Sequence, residues 1–162
     1  MKNNEQESHH HLEGKAWNLS LKYLSRAQKS RQEILNYLAK KGYPKSINEK
    51  VVQRLEKALL IDDKKYAYAF VEEKTSNSNN PIGPAKLRYE LYQKGIAREI
   101  IDETLSCLTE AQERELIERA IMRKHGCLDN IDLREKQKLA AYLQRKGFNL
   151  ELIIIVLDLH DV

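Results

Sequence analysis

The sequence predicts an all-α fold, a tandem array of three three-helix repeats forming an elongated, curved, solenoid-like molecule. A short phrase ending in glycine occurs three times: Leu38-Ala39-Lys40-Lys41-Gly42, Leu91-Tyr92-Gln93-Lys94-Gly95 and Leu143-Gln144-Arg145-Lys146-Gly147. Its glycines are 53 and 52 residues apart. Between the phrases, apolar residues recur at helical spacing, and no segment alternates apolar and polar residues over the length of a strand. Repeats of about fifty residues are typical of arrays whose units bury their apolar faces against neighbours.

Each phrase predicts the end of a helix. Glycine adopts the left-handed conformation at little steric cost, so it suits the position just after a helix. The lysines before it lie in the last turn, where the helix dipole favours cations. The apolar residue after each glycine is expected to pack on the leucine five residues earlier. We therefore predict structural roles for Gly42, Gly95 and Gly147, and a cost of about 1 kcal/mol for each alanine replacement.

The pattern places nine helices in three repeats, after a disordered N-terminal tail over residues 1–14. The predicted repeats cover residues 15–59, 60–108 and 109–162. The helices are expected near 16–29, 30–41, 47–59, 62–75, 84–94, 97–107, 110–125, 132–146 and 150–159. The last helix is nearly apolar all round, which predicts either burial on several sides or a docked partner.

The helix starts carry side chains that can cap free backbone N–H groups. Ser30 with Glu33 and Ser46 with Glu49 match the capping box, in which hydroxyl and acid each accept from a backbone N–H. Further caps are expected at Asp62 or Asp63, at Thr109 with Gln112, at Asp132 with Glu135 and at Asn149.

Composition predicts a cytoplasmic protein with no membrane segment. Of the 162 residues, 41% are hydrophobic and 32% charged, which suits one soluble unit. Two cysteines are too few for a disulfide framework or a metal cluster. The longest apolar run, Leu152–Leu157, is far shorter than the ~20 residues that span a bilayer.

Positive charge is concentrated in the first repeat. Residues 15–58 hold 11 basic and 3 acidic side chains, a net charge of +8, whereas the whole chain carries +4. Two basic stripes at helical spacing account for much of the excess. The functional interpretation is a surface that faces phosphates or an acidic groove, and the alternative is a solvated face kept basic for solubility. The stripes comprise Lys22, Arg26 and Lys29 on the first helix, and Lys50, Arg54 and Lys57 on the third.

The sequence carries no catalytic constellation, so we expect no enzyme activity, no cofactor and no metal site. It has no phosphate-binding glycine loop, no Cys/His ligand set and no serine nucleophile motif. Asp62 and Asp63 are explained by a helix cap, since no second acidic cluster has readable ligand spacing. The His9–His11 tract in the tail is weak evidence for a metal.

In its ordered set of motifs, the chain from about Ala16 onward resembles the RecX family of bacterial recombination regulators. Each piece alone is weak, and the order makes the set specific. The third repeat keeps less of the pattern. The motifs are Tyr23-Leu24-Ser25-Arg26, Ser30, Glu33-Ile34-Leu35, Ile61-Asp62-Asp63, Tyr66-Ala67, Phe70-Val71, Gly83, Lys86-Leu87, Glu90-Leu91, Lys94-Gly95-Ile96, Leu143 and Lys146-Gly147-Phe148.

The resemblance implies a helical protein that binds the RecA–DNA filament and restrains its ATP hydrolysis, strand exchange and co-protease activity in DNA repair and the SOS response. It also implies weaker, sequence-independent binding to single- and double-stranded DNA, and we expect a monomer. On this hypothesis the two stripes dock electrostatically, and Lys86, Arg88 and Lys94 contribute from the middle repeat. The alternatives are a DNA-binding helical module without a RecA target and a generic protein-interaction scaffold.

Overall fold

A computed structural model describes residues 2–76, 78–127 and 131–159, with side chains from His10 onward. Within these residues it contains nine α-helices and no strand, which confirms the predicted all-α class and the three-helix repeats. Residues 1 and 160–162, at the ends of the predicted tail and last repeat, lie outside the described part. The helices are α1 (Lys2–Leu24), α2 (Arg31–Lys40), α3 (Lys45–Lys57), α4 (Asp63–Thr75), α5 (Pro84–Gln93), α6 (Arg98–Ser106), α7 (Glu110–His125), α8 (Leu133–Arg145) and α9 (Leu150–Leu157).

The glycine-terminated helix ends are confirmed. Gly42 and Gly147 follow α2 and α8 with φ of +86° and +83°. After α2, the Tyr43 N–H donates to the Leu38 carbonyl at 3.2 Å and the Gly42 N–H donates to the Ala39 carbonyl at 2.9 Å. These two bonds define the Schellman motif, in which a left-handed residue lets two terminal carbonyls find donors. Gly95 has φ of +74° as well.

One of the two predicted capping boxes forms, and the cap predicted at Thr109 is also a capping box. The Ser30 hydroxyl accepts from the Glu33 N–H, and the Glu33 carboxylate accepts from the Ser30 N–H, at 3.1 and 3.0 Å. Thr109 and Gln112 make the same reciprocal pair at the start of α7. The box predicted at Ser46 is wrong, because α3 begins at Lys45 with Pro44 as its N-cap and no side-chain cap. Proline supplies the extended backbone there and leaves Ser46 inside the helix.

The first helix differs from its predicted bounds at both ends. The sequence predicts a disordered tail over residues 1–14 and a helix near 16–29, whereas α1 spans Lys2–Leu24. Leu12 packs against the apolar core that α1 shares with α2 and α3, and this contact supports helix N-terminal to the predicted start. At the other end, Ser30 is the extended N-cap of α2, and a connector must precede it.

The chain divides into two compact units. Unit 1 comprises the residues up to Tyr66 together with Lys94–Ile96, and unit 2 comprises Ala67–Gln93 and the chain from Ala97. Aliphatic side chains of α1, α2, α3 and the segment that follows α3 form the core of unit 1: Ala16, Ile34, Leu38, Ile47, Val51, Val52, Leu55 and Ile61. A second aliphatic core joins α7, α8 and α9 within unit 2. The apolar α9 contributes Leu152, Ile153 and Leu157 to it, while Leu150 and Ile155 are exposed.

Two glycines of unit 2 meet backbone to backbone. The Gly83 N–H donates to the Lys146 carbonyl at 2.8 Å, and the Ala85 N–H donates to the Gly147 carbonyl at 3.1 Å. A β-carbon on Gly83 would lie 2.3 Å from the Gly147 oxygen, and one on Gly147 would lie 2.4 Å from the Lys86 nitrogen. The start of α5 is therefore held against the end of α8 at a distance that excludes side chains.

Candidate interaction surface

The first predicted basic stripe is not a helix face. Lys22 lies on α1, but the helix ends at Leu24 and places Arg26 and Lys29 in the connector to α2. The i, i+4, i+7 interpretation is therefore wrong for this set, because helical spacing holds only while the helix continues. Lys22 and Arg26 are exposed, and Lys29 is half-buried.

The second predicted stripe does lie on one helix. Lys50, Arg54 and Lys57 are exposed residues of α3, at the predicted spacing. The guanidinium carbon of Arg54 lies 4.1 Å from the centroid of the Trp17 ring on α1. A cation over an aromatic face is stabilised by the ring quadrupole, so this contact orients Arg54 and joins α3 to α1.

An aromatic cluster that the sequence did not predict lies in the same unit. The rings of Tyr23 and Tyr37 are parallel within 13°, and their centroids are 4.0 Å apart. The Lys29 ammonium lies 4.9 Å from the Tyr23 centroid, and the Lys41 ammonium lies 5.8 Å from the Tyr37 centroid. We call these four residues the tyrosine stack. Tyr37 and Lys41 belong to α2 and its end, so only the packing of α2 against α1 brings them to Tyr23.

Lys94, which was predicted to contact the filament, is instead an internal partner of α2. Its ammonium pairs with the Glu33 carboxylate at 3.2 Å, and its backbone carbonyl accepts from the Ser30 hydroxyl at 2.6 Å. Burial opposes ionisation of Glu33, but the Ser30 N–H and the Lys94 ammonium outweigh it and lower the pKa of Glu33. The pKa of Lys94 is raised: burial opposes its charge, but bonds to Tyr66 and Glu33 prevail.

The three acids of residues 15–58 pair with cations outside the exposed basic set. Glu33 pairs with Lys94, while Glu49 and Glu56 contact the Arg31 guanidinium at 2.5 and 3.2 Å. The acids are therefore committed to holding α2 and α3, and their charge is compensated locally. The positive potential of unit 1 then comes from the lysines and arginines of α1, the connector, the end of α2 and α3.

The remaining predicted residues belong to unit 2. Lys86 is half-buried in the first turn of α5, and its backbone contacts Gly147. Arg88 is exposed and its guanidinium hydrogen-bonds the Asp102 carboxylate of α6. We define the basic surface of unit 1 by its own residues alone. It comprises Lys22, Arg26, Lys29, Lys41, Lys50, Arg54 and Lys57.

As candidates for metal binding or for crossing a membrane, the described residues fit neither role. No group of three or more His, Cys, Asp or Glu side chains there is placed to hold a metal ion. No helix in the same residues has the length and apolar character needed to cross a membrane.

Comparison with known proteins identifies the family of this chain. Residues 16–55, 62–105 and 111–157 match the first, second and third three-helix domains of RecX. The chain belongs to the RecX family. The three matches together cover well over half of its residues. The RecX resemblance read from the sequence is therefore confirmed.

Similar proteins carry the name regulatory protein RecX. One from Chlorobium phaeobacteroides is 35% identical over 151 residues, covering 89% of this chain and 92% of that protein. One from Halalkalibacterium halodurans is 33% identical, and the match covers 83% of this chain but only 50% of that longer protein. A crystal structure of regulatory protein RecX aligns with 97% of this chain and 77% of its own, with TM-score 0.82 and 26% identity. RecX from Lactobacillus salivarius shares the fold, with TM-score 0.76 and 24% identity. These relatives support a regulatory role for the chain.

Proposed function

We propose that this RecX protein binds the RecA–DNA filament and restrains its ATP hydrolysis, strand exchange and co-protease activity in DNA repair and the SOS response. It would act in the cytoplasm as a monomer, without catalysis or cofactor of its own. The observation that carries the proposal is the basic surface of unit 1 in a chain that belongs to the RecX family. A filament of protein and polyanion is a complementary target for such a surface.

The placement of the basic side chains supports a phosphate-facing role. The Trp17 ring orients Arg54, and the Tyr23 and Tyr37 rings orient Lys29 and Lys41. Side chains held in this way lose less conformational entropy on binding than free lysines do. We assign filament docking to the basic surface and withdraw Lys94 from it, because its ammonium is committed to Glu33.

A second candidate function is sequence-independent DNA binding without a RecA target. The exposed cations Lys22, Arg26, Lys50, Arg54 and Lys57 favour it, because lysine and arginine contacts to phosphates supply sequence-independent affinity for DNA. This function predicts an affinity for bare DNA that falls steeply with salt. The generic scaffold predicts no DNA affinity at all.

The deciding experiment is single-stranded-DNA-dependent ATP hydrolysis by the cognate RecA, titrated with the full chain at fixed moderate salt. The test variant replaces Lys22, Arg26 and Lys29 with glutamine. The matched control replaces three exposed cations of α8 in unit 2, Arg134, Lys138 and Arg145, with glutamine. Both variants lose three positive charges, so a general charge effect would appear in both.

We expect the wild type and the control to inhibit at well below one copy per RecA subunit, and the test variant to need about tenfold more protein. Equal weakening of both variants would assign the effect to net charge and remove the docking surface. If both variants inhibit as well as the wild type, the docking surface is also excluded, but RecA remains the target. No inhibition at stoichiometric excess, with DNA still bound, would establish the plain DNA-binding module.

A further inference from the structure

The hairpin of α5 and α6 in unit 2 carries an exposed groove of about 520 Å³. Leu87 and Leu91 turn the inner face of α5 into the core, which leaves Ala85, Arg88, Tyr89 and Tyr92 on the outer face. Tyr89 and Tyr92 are 62% and 68% exposed, which is high for residues of their size. They are one helical turn apart and form one wall of the groove.

The other wall and the floor come from α6. Ile101 is buried and forms an apolar floor between the helices. Asp102 is flanked by two guanidinium groups, because Arg88 hydrogen-bonds its Oδ1 and Arg98 lies 3.6 Å from its Oδ2. The hydrogen bond from Arg88 lowers the pKa of Asp102; desolvation opposes this shift, and the charges of Arg88 and Arg98 add to it. Two cations against one carboxylate give the groove a net positive charge at its Arg98 end, where that side chain is 85% exposed.

We infer that the α5–α6 groove is a second docking site, which takes a protein segment that presents an apolar side chain next to a carboxylate. Tyrosine and arginine are enriched among the residues that dominate protein–protein binding energy. The apolar floor and tyrosine wall would receive the apolar side chain, and Arg98 would pair with the carboxylate. The inference rests on the proposed function in one respect: the segment is assigned to the RecA subunit rather than to DNA.

Charge favours protein over DNA at this site. Single-stranded DNA needs a continuous positive track along several phosphates. Residues 59–108 contain 7 basic and 8 acidic side chains, and Asp102 stands in the groove wall itself. The basic surface of unit 1 has the opposite character. On this inference, the basic surface of unit 1 binds phosphates of the DNA, and the α5–α6 groove of unit 2 binds the protein.

The test compares binding of full-length variants to RecA-coated single-stranded DNA and to the same DNA bare, at two salt concentrations. The groove variant combines Tyr89→Ser, Tyr92→Ser and Arg98→Glu. The matched control combines Leu133→Ser and Arg134→Glu, which change an exposed apolar residue and an exposed arginine of α8. Thermal unfolding by circular dichroism verifies that both variants fold. A photo-crosslinking residue at position 92 of the otherwise wild-type chain gives a second readout.

We expect the groove variant to lose at least about tenfold in affinity for the coated DNA, with binding to bare DNA and the control unchanged. The position-92 crosslink should form to RecA. An equal loss on bare DNA, or a crosslink to DNA, would overturn the inference in favour of a nucleic-acid site. Unchanged binding to the filament would overturn it outright. A wild type that self-associates through the groove would make a second copy the occupant, and a wild type that ignores the filament would defeat the proposed function instead.

Discussion

Replacing Gly42, Gly83 and Gly147 singly with alanine separates the cost of backbone strain from the cost of steric overlap. Gly42 has a left-handed φ, and a β-carbon there would meet no atom within 4 Å, so its replacement introduces backbone strain alone. Gly83 has no positive φ, but its β-carbon would lie 2.3 Å from the Gly147 oxygen, so its replacement introduces overlap alone. Gly147 carries both conditions.

The magnitudes follow from these contacts. Left-handed alanine at position 42 should cost about 1 kcal/mol of unfolding free energy. Alanine at position 83 must push backbone rather than a flexible side chain, which belongs at the upper end of overpacking costs, about 3 kcal/mol. Alanine at position 147 should cost about 4 kcal/mol, since strain adds to overlap. The sequence alone predicts about 1 kcal/mol for each repeated glycine, so the ranking comes from the structure.

Urea unfolding at 25 °C can measure the unfolding free energy of each variant with a signal from the part of the chain that carries the substitution. Trp17 is the only tryptophan and lies in unit 1, so its fluorescence follows the unit that contains Gly42. Far-ultraviolet circular dichroism follows all helices, including those of unit 2. The Gly83→Ala and Gly147→Ala double variant should cost less than the two singles combined, because one displacement relieves both overlaps. If Gly83→Ala were as mild as Gly42→Ala, the close approach of α5 to the end of α8 would be refuted.

Three further predictions concern unit 1. Leu59→Gly should raise stability by about 0.5–1 kcal/mol in the tryptophan-monitored urea titration, because Leu59 has φ of +55° and is 78% exposed; a loss of stability would contradict the strain. The pKa of Glu33 is lowered in the fold, so the ionised side chain stabilises the protein above its unfolded pKa near 4.5, and this stabilisation is lost as pH falls through the lower folded value. Glu33→Gln should therefore reduce the loss of unfolding free energy at acidic pH. An unchanged dependence of stability on pH would exclude the Lys94 pair. Lys41→Gln should reduce the slope of log affinity for bare DNA against log salt by about 1, and an unaltered slope would remove Lys41 from the basic surface.

Local signals carried most of the fold. The glycine after α2 and the capping box at Ser30 are each decided within six residues, so the sequence could place them. The capping box predicted at Ser46 does not form because α3 begins at Lys45, with Pro44 as its N-cap, so Ser46 lies inside the helix. The predicted end of α1 was wrong because the sequence from Ser25 onward can form helix, whereas the extended backbone of Ser30 requires a connector before α2.

The candidate site was less predictable, because its contacts join residues far apart in the chain. The docking hypothesis attached to the family resemblance included Lys94 as well as the stripe residue Lys50. Only the fold shows that Lys94 pairs with Glu33, which is 61 residues away in sequence. The stacking of Tyr37 on Tyr23 depends likewise on how α2 packs against α1. The stripe on α3 was predictable because it needs nothing beyond its own helix.

The assignment of Lys94–Ile96 to unit 1 has a consequence for synthesis on the ribosome. The Ser30 hydroxyl, the Glu33 carboxylate and the Gln32 side chain all find their contacts at Lys94 or Gly95. A nascent chain that has released only its first 66 residues therefore has every helix of unit 1 except this clasp. The N-terminal unit must wait for about thirty more residues, at roughly 5–20 residues per second, before its capping network closes.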